Sequence, residues 1–287
     1  MKISNTVLLI VICACSFLGI SKASGQAETK KKHKTGSVYF SWGYNQEWYT
    51  RSTVHVKQDK LGNDYELVDV KGHDHMGWNN KSIFRQALTI PQYNYRLGYY
   101  FNEKQDMAIE LNFDHTKFII ADQILRVKGR LNGNPVDSNI NFNEANGFYY
   151  FLNNGANFFL FNFVKRFGLY NKHNVAVDFL GKAGVGPVIP HVENKLFGVA
   201  NEPHFQFGGW NTGIETALKV TIMQYGYLEL SQKVDYARYS GLKMAADGTG
   251  KQSFGTYELI FSAGFTLPTT KNNPRFAKSK ATAAAQK

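Results

Sequence analysis

The chain predicts an all-β fold: a closed antiparallel transmembrane β-barrel of eight strands, with short periplasmic turns and long extracellular loops. Three observations predict it. Segments of alternating apolar and polar residues, each 13 or more residues long, recur eight times along the sequence. Strands of ordinary sheets run to about 5–6 residues, and about 9–11 suffice to cross a bilayer at a tilt. The connections alternate between short and long, which is the habit of outer-membrane barrels. The chain also opens on an export signal, and the residues after that signal contain no cysteine.

The signal comes first. Met1-Lys2 gives a short positive start, Val7 to Ile20 is an apolar run of 14 residues, and the small residues Ala23-Ser24-Gly25 suit cleavage before Gln26. That run is shorter than the roughly 20 residues a membrane-spanning helix requires. A lipidated Cys15 fits poorly, because the apolar run continues through Phe17-Leu18-Gly19-Ile20. Cys13 and Cys15 both lie inside the signal, so the mature chain has neither a disulfide framework nor a catalytic thiolate.

Strands are predicted at 38–57, 88–101, 107–119, 148–168, 174–189, 209–223, 226–239 and 253–267. The last shows the pattern best: Tyr257, Leu259, Phe261, Ala263, Phe265 and Leu267 alternate with Glu258, Ile260, Ser262, Gly264 and Thr266. The short connections are Asn102–Asp106, Leu169–His173 and Gln224–Tyr225, and the long polar ones are 58–87, 120–147, 190–208 and 240–252. An even strand number puts both termini on the short-turn side, the periplasm. Ten strands would follow if 58–87 or 120–147 also crossed the membrane. Gly62-Asn63, Asn132-Gly133 and Asp247-Gly248 are turn signals, and the first two are expected to cap hairpins standing beyond the membrane. Tyr39, Trp42, Trp48 and Tyr49, with Tyr93, Tyr95, Tyr99 and Tyr100, are expected in the aromatic girdles.

The organisation that follows is a signal peptide at 1–25, a basic periplasmic segment at 26–36, the barrel at 37–268 and a basic disordered tail at 269–287. The formal charge of +11 falls to +9 once Lys2 and Lys22 leave with the signal. Residues 26–37 carry +3 of this and 268–287 carry +5, so the body is close to neutral at +1. Basicity confined to two tails of an exported chain argues against nucleic acid as a partner. The expected partners are outer-membrane lipid and, through the tails, anionic periplasmic groups or the cell wall. The chain is expected to act as a monomer.

Ser41-Trp42-Gly43-Tyr44-Asn45, Pro91-Gln92-Tyr93-Asn94-Tyr95-Arg96, Asn112-Phe113-Asp114-His115-Thr116-Lys117 and Asn154-Gly155-Ala156-Asn157-Phe158-Phe159 resemble segments of outer-membrane β-barrel proteins of unassigned role from Bacteroidetes-type bacteria. The resemblance spans roughly residues 37–268. In architecture the chain is also similar to small OmpA-like, OmpX-like and OmpW-like barrels, which implies a fold and a bacterial outer-membrane address rather than an activity. It departs from such barrels at the end, where residues follow Phe265 instead of the chain closing on an aromatic.

Strand parity turns a set of charges inward: the acids Glu47, Glu110, Asp114, Asp178, Glu215, Glu229, Asp235 and Glu258, and the bases Arg96, Lys182, Lys219 and Lys233. An eight-stranded barrel is only wide enough for its own side chains. These groups are therefore expected to pair as a structural plug, Arg96 with Glu110 across the short turn, and Glu215 with Lys219 and Glu229 with Lys233 along neighbouring inner faces. The excess of acids leaves a narrow pore or transport route as the alternative role.

Enzymatic chemistry finds little support. The His-x-Ser pattern of outer-membrane lipid A deacylases and palmitoyl transferases is absent, and Ser52 and His55, three apart, face opposite sides of a strand. His115 has outward parity and reads as an interfacial residue. His73-Asp74-His75 has no third ligand cluster at fixed spacing and reads as an exposed loop rather than a metal site. Gly181, Gly184 and Gly186 precede no helix and make no phosphate cradle. No cofactor is expected. An envelope structural or interaction role leads, followed by the pore, with an outer-leaflet lipid-modifying enzyme third.

Overall fold

The computed structural model describes residues 36–75, 92–102, 104–152, 155–172 and 174–269. The signal 1–25, the basic stretch 26–35, loop 76–91 and the tail from 270 onward lie outside the described residues.

Alternating, β-branched and aromatic-rich segments form the eight strands of a ring: β1 (Ser37–Tyr49), β2 (Tyr93–Tyr100), β3 (Met107–Asp114), β4 (Phe158–Lys172), β5 (Val175–Val188), β6 (Gly209–Ile222), β7 (Gly226–Met244) and β8 (Gly248–Pro268). Each pairs antiparallel with the next. The ring closes where β8 returns to β1, in register from Ser37 with Pro268 to Tyr49 with Thr256. The ring therefore contains eight strands and not ten. Closure leaves no unpaired edge within it, the condition a sheet must meet in hydrocarbon.

Its faces are the reverse of a soluble barrel's. Ile109, Phe161, Ile214, Val234 and Phe261 point outward and are 56–65% exposed, whereas inward Arg96, Glu110 and Lys233 are 1–3% exposed. Such an outer face is stable only against lipid. Trp48, Tyr95, Trp210, Tyr236 and Tyr257 lie on that face. Tyr39 and Tyr100, expected in the girdles, instead turn inward with 3% and 1% exposure, because they share parity with Ser41, Asn45 and Glu47 on β1 and with Arg96 on β2. Tyr49, expected there too, has the same parity as Tyr39 and packs against the core at the mouth. The Tyr39 ring lies over Gly98, its register partner, where an added Cβ would come within 2.1 Å of it.

Three predicted strands are each divided: the third, expected over 107–119, ends at Asp114, and Phe118–Ile120 joins a different sheet. The first breaks after Tyr49, and Ser52–Gln58 leaves the ring to form a separate hairpin with Asn63–Val70. The fourth begins as the short strand Tyr149–Leu152 before β4. The described parts of the long loops are themselves mostly sheet. Gln123–Leu131 and Asn134–Phe142 form a hairpin, and Ser52–Gln58, Asn63–Val70 and this hairpin extend the barrel sheet from the end of β8. Gly72–His73, Phe118–Ile120, Tyr149–Leu152, His191–Leu196 and Val199–Ala200 build a second sheet. The two hairpins turn at Gly62 and at Asn132-Gly133, all with positive φ. β7 and β8 continue upward as one long hairpin, bent at a bulge where Gly241 takes φ 66°.

One hydrophobic core joins these extensions to the mouth of the barrel. It includes Val56, Leu67, Val127, Phe142, Tyr150 and Val192 from the added strands, and Val188, Tyr239 and Phe254 from the barrel strands. Phe254 stacks on Phe118, with centroids 4.8 Å apart and planes at 11°, and Tyr49 meets both rings edge-on. Burying each such side chain contributes about 1.5–3 kcal/mol.

Candidate functional site

All twelve inward charges lie buried within the ring, between 0 and 3% exposed. They stand in three tiers. Nearest the short turns, Lys219 Nζ lies 3.4 Å from the ring centre of Tyr227 and 5.0 Å from that of Tyr39. Arg166, which is 6% exposed and was not among the charges expected to face inward, places its guanidinium 4.3 Å from the centre of the Tyr100 ring. Aromatic faces stabilise cations here, a role that charge counting does not anticipate. The inward parity of Arg166 follows from Asn162 and Val164 on the same strand, so the signal was present. Asp178 is the register partner of Lys219 across β5 and β6.

The middle tier holds two cations among three carboxylates. Arg96 Nη1 donates to Glu215 at 2.8 Å and to Glu110 at 3.3 Å. Lys182 Nζ lies 2.7 Å from Glu229, 3.1 Å from Glu215 and 3.2 Å from Glu110. Tyr39 and Asn162 also donate to Glu110, at 2.8 and 3.0 Å. The upper tier centres on Lys233, which bonds Asp114, lies 2.5 Å from Glu258 and 3.2 Å from Asp235. Above it Asn45 donates to Glu47 at 2.5 Å and to Glu258 at 2.9 Å, and Gln92 also donates to Glu47.

The structure thus brings Arg96 and Glu110 together. Glu215 and Glu229 are paired differently from the expectation. Glu215 meets Arg96 and Lys182, and Glu229 meets Lys182, rather than Lys219 and Lys233 respectively. The reason is that residues four apart on a strand lie some 13 Å apart along it, whereas cross-strand partners stand side by side. Lys182 is the register partner of Glu215, and Lys233 that of Glu258.

At the mouth, Asp74 Oδ2 accepts the Glu47 N–H at 2.9 Å. Burial pushes the Asp74 carboxyl up, against the downward pull of that bond and of His73 and His75. A carboxyl raised in the folded state costs stability when ionised. The cost is absent below the unfolded aspartate range, about 3.9, and sets in as pH rises through it. Asp74→Asn keeps the acceptor without the charge. Its urea midpoint is expected above that of the wild type near neutral pH and equal to it at about pH 3. A lower midpoint near neutral pH would show that the charge itself is required.

The other candidate residues are dispersed. Ser52 is buried and its hydroxyl accepts from Gln252 at 3.0 Å, while His55 points away from it to Asp64, 2.7 Å distant. His115 Nδ1 lies 2.9 Å from Asn157 Oδ1, and its ring stacks on Tyr93. His73 and His75 line a cavity of about 330 Å³ with Asp122 and Glu144, but no three potential ligands converge among the described residues.

A closed ring with an apolar outer face and a charged interior defines an outer-membrane β-barrel protein, and a single chain supplies the whole ring. No family model and no curated protein matches the chain. Solved structures similar to it include Ail, the attachment invasion locus protein of Yersinia pestis, at 14% identity and a TM-score of 0.30, with 81% of this chain and 99% of that chain covered. OprG from Pseudomonas aeruginosa is 10% identical with a TM-score of 0.39, covering 82% of this chain and 97% of that chain. The Escherichia coli outer membrane protease OmpT is 8% identical with a TM-score of 0.36, covering 82% and 96%. The barrel assignment rests on the strand pairing and the exposed apolar face rather than on these scores.

Proposed function

We propose that this protein is an envelope structural or interaction protein, in which a plugged barrel anchors a folded extracellular β-domain as its working surface. The observation that carries this reading is the hydrophobic core shared by the added sheets and the barrel mouth, lidding an interior already filled by ion pairs. A conducting pore needs a continuous hydrated path. Here Lys219, Arg166 and three tyrosines occupy one end, and Phe118, Tyr239 and Phe254 occupy the other. The Bacteroidetes-type resemblance adds a class of envelope to this reading.

Planar-bilayer recording from the folded protein tests it. Wild type and Glu110→Gln are both expected to be silent. Reproducible conductance steps in the wild type, altered by Glu110→Gln, would overturn the plug and make the acid-rich interior a transport path.

A further inference from the structure

On the outward face where β7, β8 and the hairpin strands Ser52–Gln58 and Asn63–Val70 meet, a cleft of about 520 Å³ is lined by His55, Glu66, Arg238, Ser240, Lys251 and Ser253. Arg238 and Lys251 are exposed, and neither forms an ion pair or side-chain hydrogen bond with a described residue. This distinguishes them from Arg51, Lys60 and Arg126, which pair with Asp69, Asp247 and Asp137.

Their height on the barrel is the second observation. Trp210 and Tyr236 stand 5.9 Å apart, and Trp48 and Tyr257 5.6 Å apart, on the same outward face. Such aromatics sit at the headgroup level of a membrane. Arg238 is two residues beyond Tyr236 on β7, about 7 Å along the strand. Lys251 is in register with Ser240, a further two residues out. Below the aromatics the same face continues as Leu230, Val234, Leu259 and Phe261, all exposed. An apolar wall, an aromatic step and two unpaired cations follow the order of chains, interface and anionic headgroup in an amphiphile. Glu66 opposes an anion, but its register partners are His55 on one side and Lys128 on the other, so positive charge can offset it.

We propose that this cleft binds the phosphorylated headgroup of an outer-leaflet glycolipid, with Arg238 and Lys251 on the phosphates and the acyl chains against Val234, Leu259 and Phe261. Guanidinium favours phosphate through paired charge-assisted hydrogen bonds, and the ammonium adds a second point charge.

The test measures binding of diphosphoryl lipid A to the folded full-length protein in detergent micelles, by native mass spectrometry. The double variant Arg238→Gln/Lys251→Gln is expected to bind about tenfold more weakly, and Lys172→Gln, at the short-turn end, to bind as the wild type does. Rising salt should weaken wild-type binding, because exposed charges are screened. Equal affinity of the double variant, or binding indifferent to salt, would overturn the proposal. Undiminished binding of the dephosphorylated lipid would overturn the phosphate contact. Competition by inorganic phosphate at the same concentration as lipid A would overturn the lipid as occupant. Heat-shifted electrophoretic mobility checks folding of the double variant, and the salt series on the wild type decides the matter should that variant not fold.

Discussion

Lys233→Met is expected to lower the unfolding free energy of the barrel by about 3–5 kcal/mol, the usual cost of removing one partner from a buried ion pair. Lys233 lies within ion-pair distance of Asp114, Asp235 and Glu258, all fully enclosed, and no other described cation does so. Methionine fills similar volume, so the loss isolates the charge rather than a cavity. Arg96→Met should cost less, because Lys182 still faces Glu110 and Glu215. The difference separates a plug whose tiers act independently from one that behaves as a single network. Urea unfolding in micelles, followed by tryptophan fluorescence, gives both values. Adding Glu258→Gln to Lys233→Met should recover part of the loss, since charges left without a partner make up much of it. A Lys233→Met midpoint equal to that of the wild type would mean that water or protonation already balances the upper tier.

Phe254→Ala is expected to cost about 3–5 kcal/mol as well, through the cavity it leaves. Phe254 is 1% exposed, touches Phe118, Tyr49 and Tyr239, and stands where β8 passes from the barrel into the extracellular sheets. The loss should fall unevenly. Strands inside the bilayer keep their hydrogen bonds, whereas the added sheets are tied to the barrel by this core and by a short pairing of β8 with Ser52–Gln58. Brief proteolysis should then cut the variant within 52–75 or 118–152 while the membrane-embedded strands remain protected. Uniform resistance to protease would show that the extracellular sheets hold without this ring. It would also remove the main support for a rigid displayed domain.

The eight ring strands were legible because one physical rule acts on every one of them. A strand between lipid and a filled interior must alternate, and it must do so over a length set by the bilayer. Even β7, predicted as 226–239, differs only by the residues that carry it upward to Met244. The inward position of each candidate charge was readable from the same rule. Parity gives a side, however, and not a neighbour. The pairing of Lys182 with Glu229, or of Lys233 with Asp114, joins residues 47 and 119 positions apart. The aromatic enclosure of Lys219 was hidden for a related reason. Tyr39 and Tyr100 carry the composition of girdle residues, and only their parity sends them inward.

The extracellular half was harder to see. Its strands are short, and they are separated by breaks such as Thr50-Arg51 that leave no long alternating run. Gly62 and Asn132-Gly133 marked the hairpin tips, yet nothing local says that Val56, Leu67, Val127 and Tyr150 share one core. By itself the sequence determined the barrel and which charges face inward, since these follow from periodicities and lengths within single segments, while eight strands or ten stayed open until the pairing of β1 with β8 closed the ring. Tertiary structure alone decided which charges meet, how both ends of the interior are filled, and that the described parts of four loops fold into a lid. These depend on cross-strand register and on contacts between segments far apart in the chain.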